Sequence, residues 1–242
     1  MMINATSTVG AIGRAYENYL NTARQISSMD RVPAAQYDPA GLAISERIAA
    51  QRNAYDMKMQ NTAMEINSNM TAEAALGAVQ DNIHRIHELS VQASNGTYTA
   101  QDREIIQQEI DMLKTGIDDI SASTAFNGKP VLSGVSSTSL GLDGIAVVGD
   151  PSSAVKSASD AIDSVSELRA SFGTQINAQR KNISNMQQQS VAAENSYNTI
   201  RGLDMARAMV ELTSNKMAFE TGLAVLKTEQ QLGGKLLSLL SG

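Results

Sequence analysis

Proline stands only at positions 33, 39, 130 and 151, so two long stretches, 40–129 and 152–242, contain no residue whose covalent geometry breaks a helix. Both carry helical periodicity. Ile106, Ile110, Leu113, Ile117 and Ile120 are spaced 4, 3, 4, 3. Tyr55, Met59, Ala63, Ile66, Met70 and Ala74, then Val79, Ile83, Ile86 and Ala93, keep a looser version of that seam. The second stretch repeats it at Ile162, Val165, Phe172, Ile176, Ile183, Met186, Ala193, Tyr197 and Ile200. An apolar period of about 3.5 residues held this long specifies a narrow seam between long helices, not a thick core. The expected fold is mainly α: a long antiparallel helical bundle or coiled-coil rod, with a small β-hairpin region at the chain midpoint.

Composition agrees with a thin bundle. There is no Trp, only 3 Phe, and 12 Met, so small and flexible side chains must fill the seams. The net charge is -6, and the cations are scattered singly, which argues against binding nucleic acid, where clustered Lys and Arg neutralise phosphates. Absence of cysteine removes disulfides, thiol catalysis and Cys-based metal sites together. The first twenty residues lack a basic segment followed by an apolar run, and no window approaches the roughly 18 apolar residues of a membrane span. The expectation is a soluble chain without membrane insertion, which leaves the cell, if it does, without the general secretory signal.

Five of the 17 Gly fall between Gly128 and Gly149. Short β-prone pieces at 130–132 and 145–148 lie among these turn formers and predict one or two strands or a hairpin. The simplest topology is then a long hairpin with both termini at one end. Asn95-Gly96-Thr97 interrupts the first helix, with Thr99 or Thr97 capping the helix that resumes near Gln101. Asp38 and Pro39 mark the start of the first helix, which from 42 to 94 would run about 80 Å. The tails show stripes at Val9, Ile12, Tyr16, Tyr19, Ala23 and Ile26, and at Met205, Met209, Leu212, Phe219, Leu223 and Leu226. Each stripe needs a partner to cover it.

Several strings, taken in order, resemble bacterial flagellin: DPAGLAISERI at 38–48, HELSVQASNGTYTAQDREIIQQEIDML at 87–113, STAFNGKPVL at 123–132, AIDSVSELRASFGTQINAQRKNISN at 161–185, IRGLDMARAMVELTSNKM at 200–217 and LLSLL at 236–240. The resemblance covers almost everything except the Gly-rich middle. It implies a subunit that polymerises into the flagellar filament for motility, secreted and extracellular, with no enzymatic activity, catalytic residue, metal or cofactor. It implies a terminal coiled-coil layer from 1–40 and 204–242, rod-domain helices at 41–125 and 152–203, and a hairpin and turn segment at 126–151. Where the family often carries large outer domains, this chain has room only for the hairpin.

The resemblance also places function. Assembly between subunits would use Ile12, Tyr19, Ile26, Leu212, Phe219, Leu223, Leu226, Leu236, Leu237, Leu239 and Leu240. A host Toll-like receptor would contact Arg85, Leu89 and Glu109, with His84 standing where Gln is common. Implied partners are the chain itself, the flagellar export apparatus with an export chaperone, and hook-associated proteins. Some positions depart from the family: Ser27-Ser28-Met29-Asp30-Arg31-Val32 replaces a Ser-Ser-Gly turn and its Leu-Arg-Ile sequel, and Gly202 replaces a commonly acidic residue. Tyr37-Asp38-Pro39 is similar to the hook-filament junction protein, which is the alternative reading; a signalling coiled-coil hairpin is a further one.

Other candidate chemistry has plainer explanations. His84, His87 and Glu88 lack the His pair at i, i+4 of a zinc peptidase helix, and no third His exists. The acids Asp118-Asp119 and Asp102-Arg103-Glu104 read as solvated helix faces, and Met59, Met70, Met186, Met205 and Met209 as seam filler. The tails, short of partner area in one chain, are expected to be mobile until subunits meet.

Overall fold

The computed structural model describes residues 2–240 and, of the side chains, those of 7–235, 238 and 239. Five helices account for most of it: α1 Met2–Ser28, α2 Pro39–Ser94, α3 Ala100–Ser123, α4 Pro151–Arg201 and α5 Met205–Leu240. Between α3 and α4 lie two short strands, β1 Ala125–Phe126 and β2 Lys129–Pro130, and a 3-10 turn at Leu142–Gly144.

Helix starts follow from local chemistry. Asp38 accepts a hydrogen bond from the Gly41 amide at 2.8 Å, with Pro39 at the first helical position. A Cβ on Gly41 would strike that carboxylate, so glycine there is what lets the cap fold back. The same arrangement opens α4, where Asp150 accepts from the amides of Ser152 and Ser153. Helix α3 opens with a full capping box: the Thr99 hydroxyl accepts from the Asp102 amide, and the Asp102 carboxylate accepts from the Thr99 amide at 2.9 Å.

The exit from α1 is different. Asp30 N–H donates to Gln25 and Met29 N–H to Ile26, a Schellman closure with Met29 in the left-handed position at φ 53°. Glycine occupies such a position without cost, whereas a residue with a Cβ loses about 1 kcal/mol.

The chain divides into two compact units, one of Tyr55–Gln188 and one of the residues before and after it. In the 55–188 unit, α2 and α4 run antiparallel, as Gln80 with Ser166, Glu73 with Arg169 and Asn69 with Gln179 attest. The core joins Leu76, Val79, Ile83 and Ile86 of α2 with Ile106, Ile110 and Ile117 of α3 and Ala154, Ala158, Ala161 and Val165 of α4. All nine expected α4 positions are buried or half-buried, as are the five of α3.

On α2 the expected seam slips. Ala63, Met70 and Ala74 are exposed, and the buried positions are Ile66, Ala72, Leu76 and Val79. Spacing explains it: a step of five separates Ala74 from Val79, which no 3-4 seam contains, whereas counting back 3 and 4 from Val79 reaches Leu76 and Ala72.

The midsection completes this core instead of looping free. Ala125 pairs with Pro130 and Phe126 with Lys129 around Asn127-Gly128, both at positive φ as a two-residue hairpin turn requires. The expected strand at 145–148 is absent. Ile145 and Val147 are buried and alternate with exposed neighbours as a strand would, yet no strand lies beside them. Instead the Gln107 side chain accepts from the Val147 amide at 2.9 Å and donates to the Ile145 carbonyl at 3.1 Å. Asp118 does the same for Ser137, accepting from its amide at 2.7 Å and its hydroxyl at 2.8 Å, so this carboxylate is structural and not merely a solvated face.

Candidate assembly site

The unit built from the chain ends contains α1, α5, the start of α2 and the end of α4. Helices α1 and α5 pack antiparallel: Thr22 meets Asn215, Tyr16 meets Phe219 with ring centroids 5.1 Å apart, and Ile12 meets Gly222. On α1 the covered positions include Thr8, Ile12, Ala15, Tyr19, Thr22 and Ile26, with Leu20, Asn21, Ala23 and Gln25 also half-buried; on α5 they include Ala208, Leu212, Asn215, Phe219, Gly222 and Leu226, with Glu229 also half-buried. Both rows step 4, 3, 4, 3, 4, the period of a two-helix seam.

That seam is short of bulk. It holds Thr22 and Asn215, joined by a 3.3 Å hydrogen bond, the small Ala15 and Ala208, and Gly222, where a Cβ would lie 2.6 Å from Ile12 Cγ1. Many further large apolar side chains lie outside it. Val9, Tyr16, Met209, Met217, Val225 and Leu232 are exposed, Leu223 is 43% exposed and Leu239 is 79% exposed. Beside the seam is an open groove of about 570 Å³ whose lining includes Ala11, Ala15, Ala218 and Val225.

Of the expected assembly residues, the structure brings Ile12, Tyr19, Ile26, Leu212, Phe219 and Leu226 together along the seam, and leaves Leu223 and Leu239 outside it. The side chains of Leu236, Leu237 and Leu240 lie outside the described residues. Met205, Met209 and Met70 are exposed, so they are not seam filler within one chain. Thr22, Asn215 and Gly222 carry no apolar signal in the sequence; continuing the 4-3 count through polar and small residues finds them.

Where α1 and α4 end, a polar joint forms. Asp30 accepts from Nε and Nη2 of Arg201, whose Nη1 donates to Glu46 at 3.2 Å. Arg31 returns its amide to the Arg201 carbonyl at 2.9 Å and its Nε to the Ile200 carbonyl at 2.8 Å, satisfying the end of α4. The Tyr197 ring lies near the guanidinium groups of both Arg201 and Arg52, and Arg52 is paired with Glu194.

The expected receptor face lies in the other unit. Arg85 donates to Glu109 from Nε at 3.1 Å and Nη2 at 2.9 Å, and to Glu88 at 3.2 Å, and these bonds raise its pKa further. Leu89 is a core residue, 2% exposed beside Ile86 and Ala93, so the accessible part of this face is His84, Arg85, Glu88, Val91 and Gln92, with Glu109 half-buried beside Arg85. Among the described residues no group of three or more His, Asp or Glu is placed to hold a metal, and no helix is long and apolar enough to cross a membrane.

Two family models match the chain: the bacterial flagellin N-terminal helical region over residues 1–137 and the bacterial flagellin C-terminal helical region over 155–240. Flagellin FlaB2 of Treponema pallidum is 31% identical, the match covering 89% of this chain and 90% of that protein. The flagellar filament 33 kDa core protein of Treponema phagedenis is also 31% identical with the same coverage, and the flagellin of Halalkalibacterium halodurans is 29% identical over 89% of each chain. The chain belongs to the bacterial flagellin family. It is a structural, non-enzymatic subunit of the extracellular flagellar filament, which polymerises with itself and has no large middle domain. The Asp38-Pro39 pair, which resembles a junction protein, acts here as the cap and first residue of α2.

Proposed function

We propose that residues 1–40 and 204–242 form the assembly layer of the filament, in which α1 and α5 pack against the same helices of neighbouring copies. The observation that supports this most is the reversed distribution of bulk in the α1·α5 pair. Thr, Asn, Ala and Gly fill much of its seam, while Met209, Met217, Leu223, Val225, Leu232 and Leu239 face outward. Burying such a side chain fully contributes about 1.5–3 kcal/mol, whereas ordering the backbone costs about 1–2 kcal/mol per residue. One seam, half of it small or polar residues, leaves the pair marginal in a free subunit, and lateral neighbours supply what is missing through a heterologous contact that propagates.

Leu239, 79% exposed, is a further outward apolar residue of α5, and Leu236, Leu237 and Leu240 are proposed to serve the same assembly. Seeded elongation tests the assignment: Met209→Asp with Leu223→Asp should abolish growth while the melting of the 55–188 unit stays unchanged. Filaments growing at the normal rate from that variant would overturn it. Removal of 236–242 should give the same phenotype.

A marginal terminal pair also suits passage through the flagellar export apparatus, with an export chaperone covering the tail before transit and hook-associated proteins bounding the filament afterwards. The exposed Arg85 and Glu109 pair is proposed as the contact for a host Toll-like receptor. A bidentate Arg fork on a helix face makes a small hot spot, and the buried Leu89 holds that face in place from beneath.

A further inference from the structure

We infer that Met29 is an inter-subunit contact residue, its side chain received by an adjoining copy of this chain in the filament; the inference rests on the assembly described above. Two independent features of the free subunit point to it. The first is backbone strain. Met29 closes α1 at φ 53°, a conformation that glycine adopts freely and that penalises any residue with a Cβ. The second is that the residue is 74% exposed within its own chain. The same loop does bury an apolar anchor, Val32, which is 2% exposed, so Met29 is not needed to dock the segment.

A residue that strains the backbone and exposes a large apolar side chain is unfavourable twice in the isolated subunit. Strain of this kind persists only where its surroundings over-determine it, and it clusters at functional contacts. The other state of this protein is the polymer, and a second copy is the partner that its family membership supplies. The neighbours of Met29 fix its position for such a role. Asp30 is held by Arg201, Arg31 by the carbonyls of Ile200 and Arg201, and Gln25 Nε2 donates to the Arg31 carbonyl at 2.8 Å. Covering a side chain that projects from so constrained a loop requires little further ordering of the backbone.

The test exploits opposite signs. Met29→Gly relieves the strain and removes the side chain together, so the monomer should melt higher while the critical concentration for seeded elongation rises roughly tenfold, the effect of losing one well-buried apolar contact. Met29→Leu, which keeps both strain and apolar bulk, should elongate within about twofold of the unaltered chain. A critical concentration for Met29→Gly equal to or below that of the unaltered chain overturns the inference. The chain has no cysteine, so Met29→Cys supplies a single thiol for a second readout. Maleimide should label it at least tenfold faster in monomers than in filaments, and equal rates in the two states would also overturn the inference. Failure of the unaltered chain to elongate from seeds would fault the filament assembly itself, whereas normal elongation of Met29→Gly would fault only the role of Met29.

Discussion

The Asp30 carboxylate accepts two hydrogen bonds from the Arg201 guanidinium across 171 positions of sequence, and both side chains are about one-sixth exposed. An isolated β-bridge between Asp30 and Gly202 accompanies the pair, so the chain leaving α1 and the chain leaving α4 are tied at one point. Burial opposes ionisation of Asp30. The hydrogen bonds from Arg201, the Val32 amide and the Arg201 charge outweigh it and hold the carboxyl below its usual 3.8.

A lowered folded-state pKa fixes the sign of the pH dependence. Asp30 contributes stability that is fully present above its unfolded pKa, near 3.8, and is lost as pH falls through the lower folded value. Asp30→Asn should therefore destabilise the unit of the chain ends by about 1–2 kcal/mol at neutral pH, an amount limited by solvent access to the pair. The difference between variant and parent should shrink below pH 3.8. Denaturant melts at pH 7 and pH 3 check it, and a gap of the same size at both would count against the ion pair.

Gly222 decides how closely α1 and α5 approach. Gly222→Ala gains about 1 kcal/mol of helix propensity but puts a methyl where Ile12 already stands, and overpacking of this kind costs about 1–3 kcal/mol. The clash should prevail, lowering the melting of the helix pair, and Ile12→Val should restore part of the loss. A variant more stable than its parent would mean that the helices separate without cost.

Gln107 serves as the missing strand beside 145–147. Replacing it with Leu leaves the Val147 amide and the Ile145 carbonyl without their partner and should cost about 1–3 kcal/mol. Gln107→Glu keeps the acceptor for Val147 and should lose less. Amide exchange at Val147 should accelerate strongly in the Leu variant only, and an unchanged rate there would refute the clamp.

Arg85→Ala should weaken receptor binding at least tenfold with unchanged melting, because the side chain is exposed and its ion pairs are at the surface. Leu89→Ala should act through stability instead, at about 2–5 kcal/mol for a core leucine. Surface plasmon resonance beside thermal melts separates the two. Undiminished binding by Arg85→Ala would remove this face from consideration.

Legibility in the sequence followed the physical character of each seam. Where every position was apolar, as at Ile106, Ile110 and Ile117, periodicity alone placed the core. Where seam positions are small or polar, as at Ala72, Thr22, Asn215 and Gly222, a search for apolar residues drifted onto exposed neighbours such as Ala74 and Leu223. Caps at Asp38 and Thr99 were readable because they act over three residues. The Asp30–Arg201 joint and the Gln107 clamp were not, because they close over 171 and about 40 positions and depend on where folded helices bring single side chains.

Hydrogen exchange on monomer and filament tests the central claim, that the α1·α5 pair becomes stable only when neighbouring copies cover its outer faces. In the monomer, amides near Ala23 and Leu223 should exchange orders of magnitude faster than those of Ile83 and Ile110, which lie in the completed core of the other unit. In the filament, Ala23 and Leu223 should become as protected as Ile83. Equal protection of Ala23, Leu223 and Ile83 already in the monomer would contradict the account, because a pair stable by itself would leave the outward apolar rows without a reason.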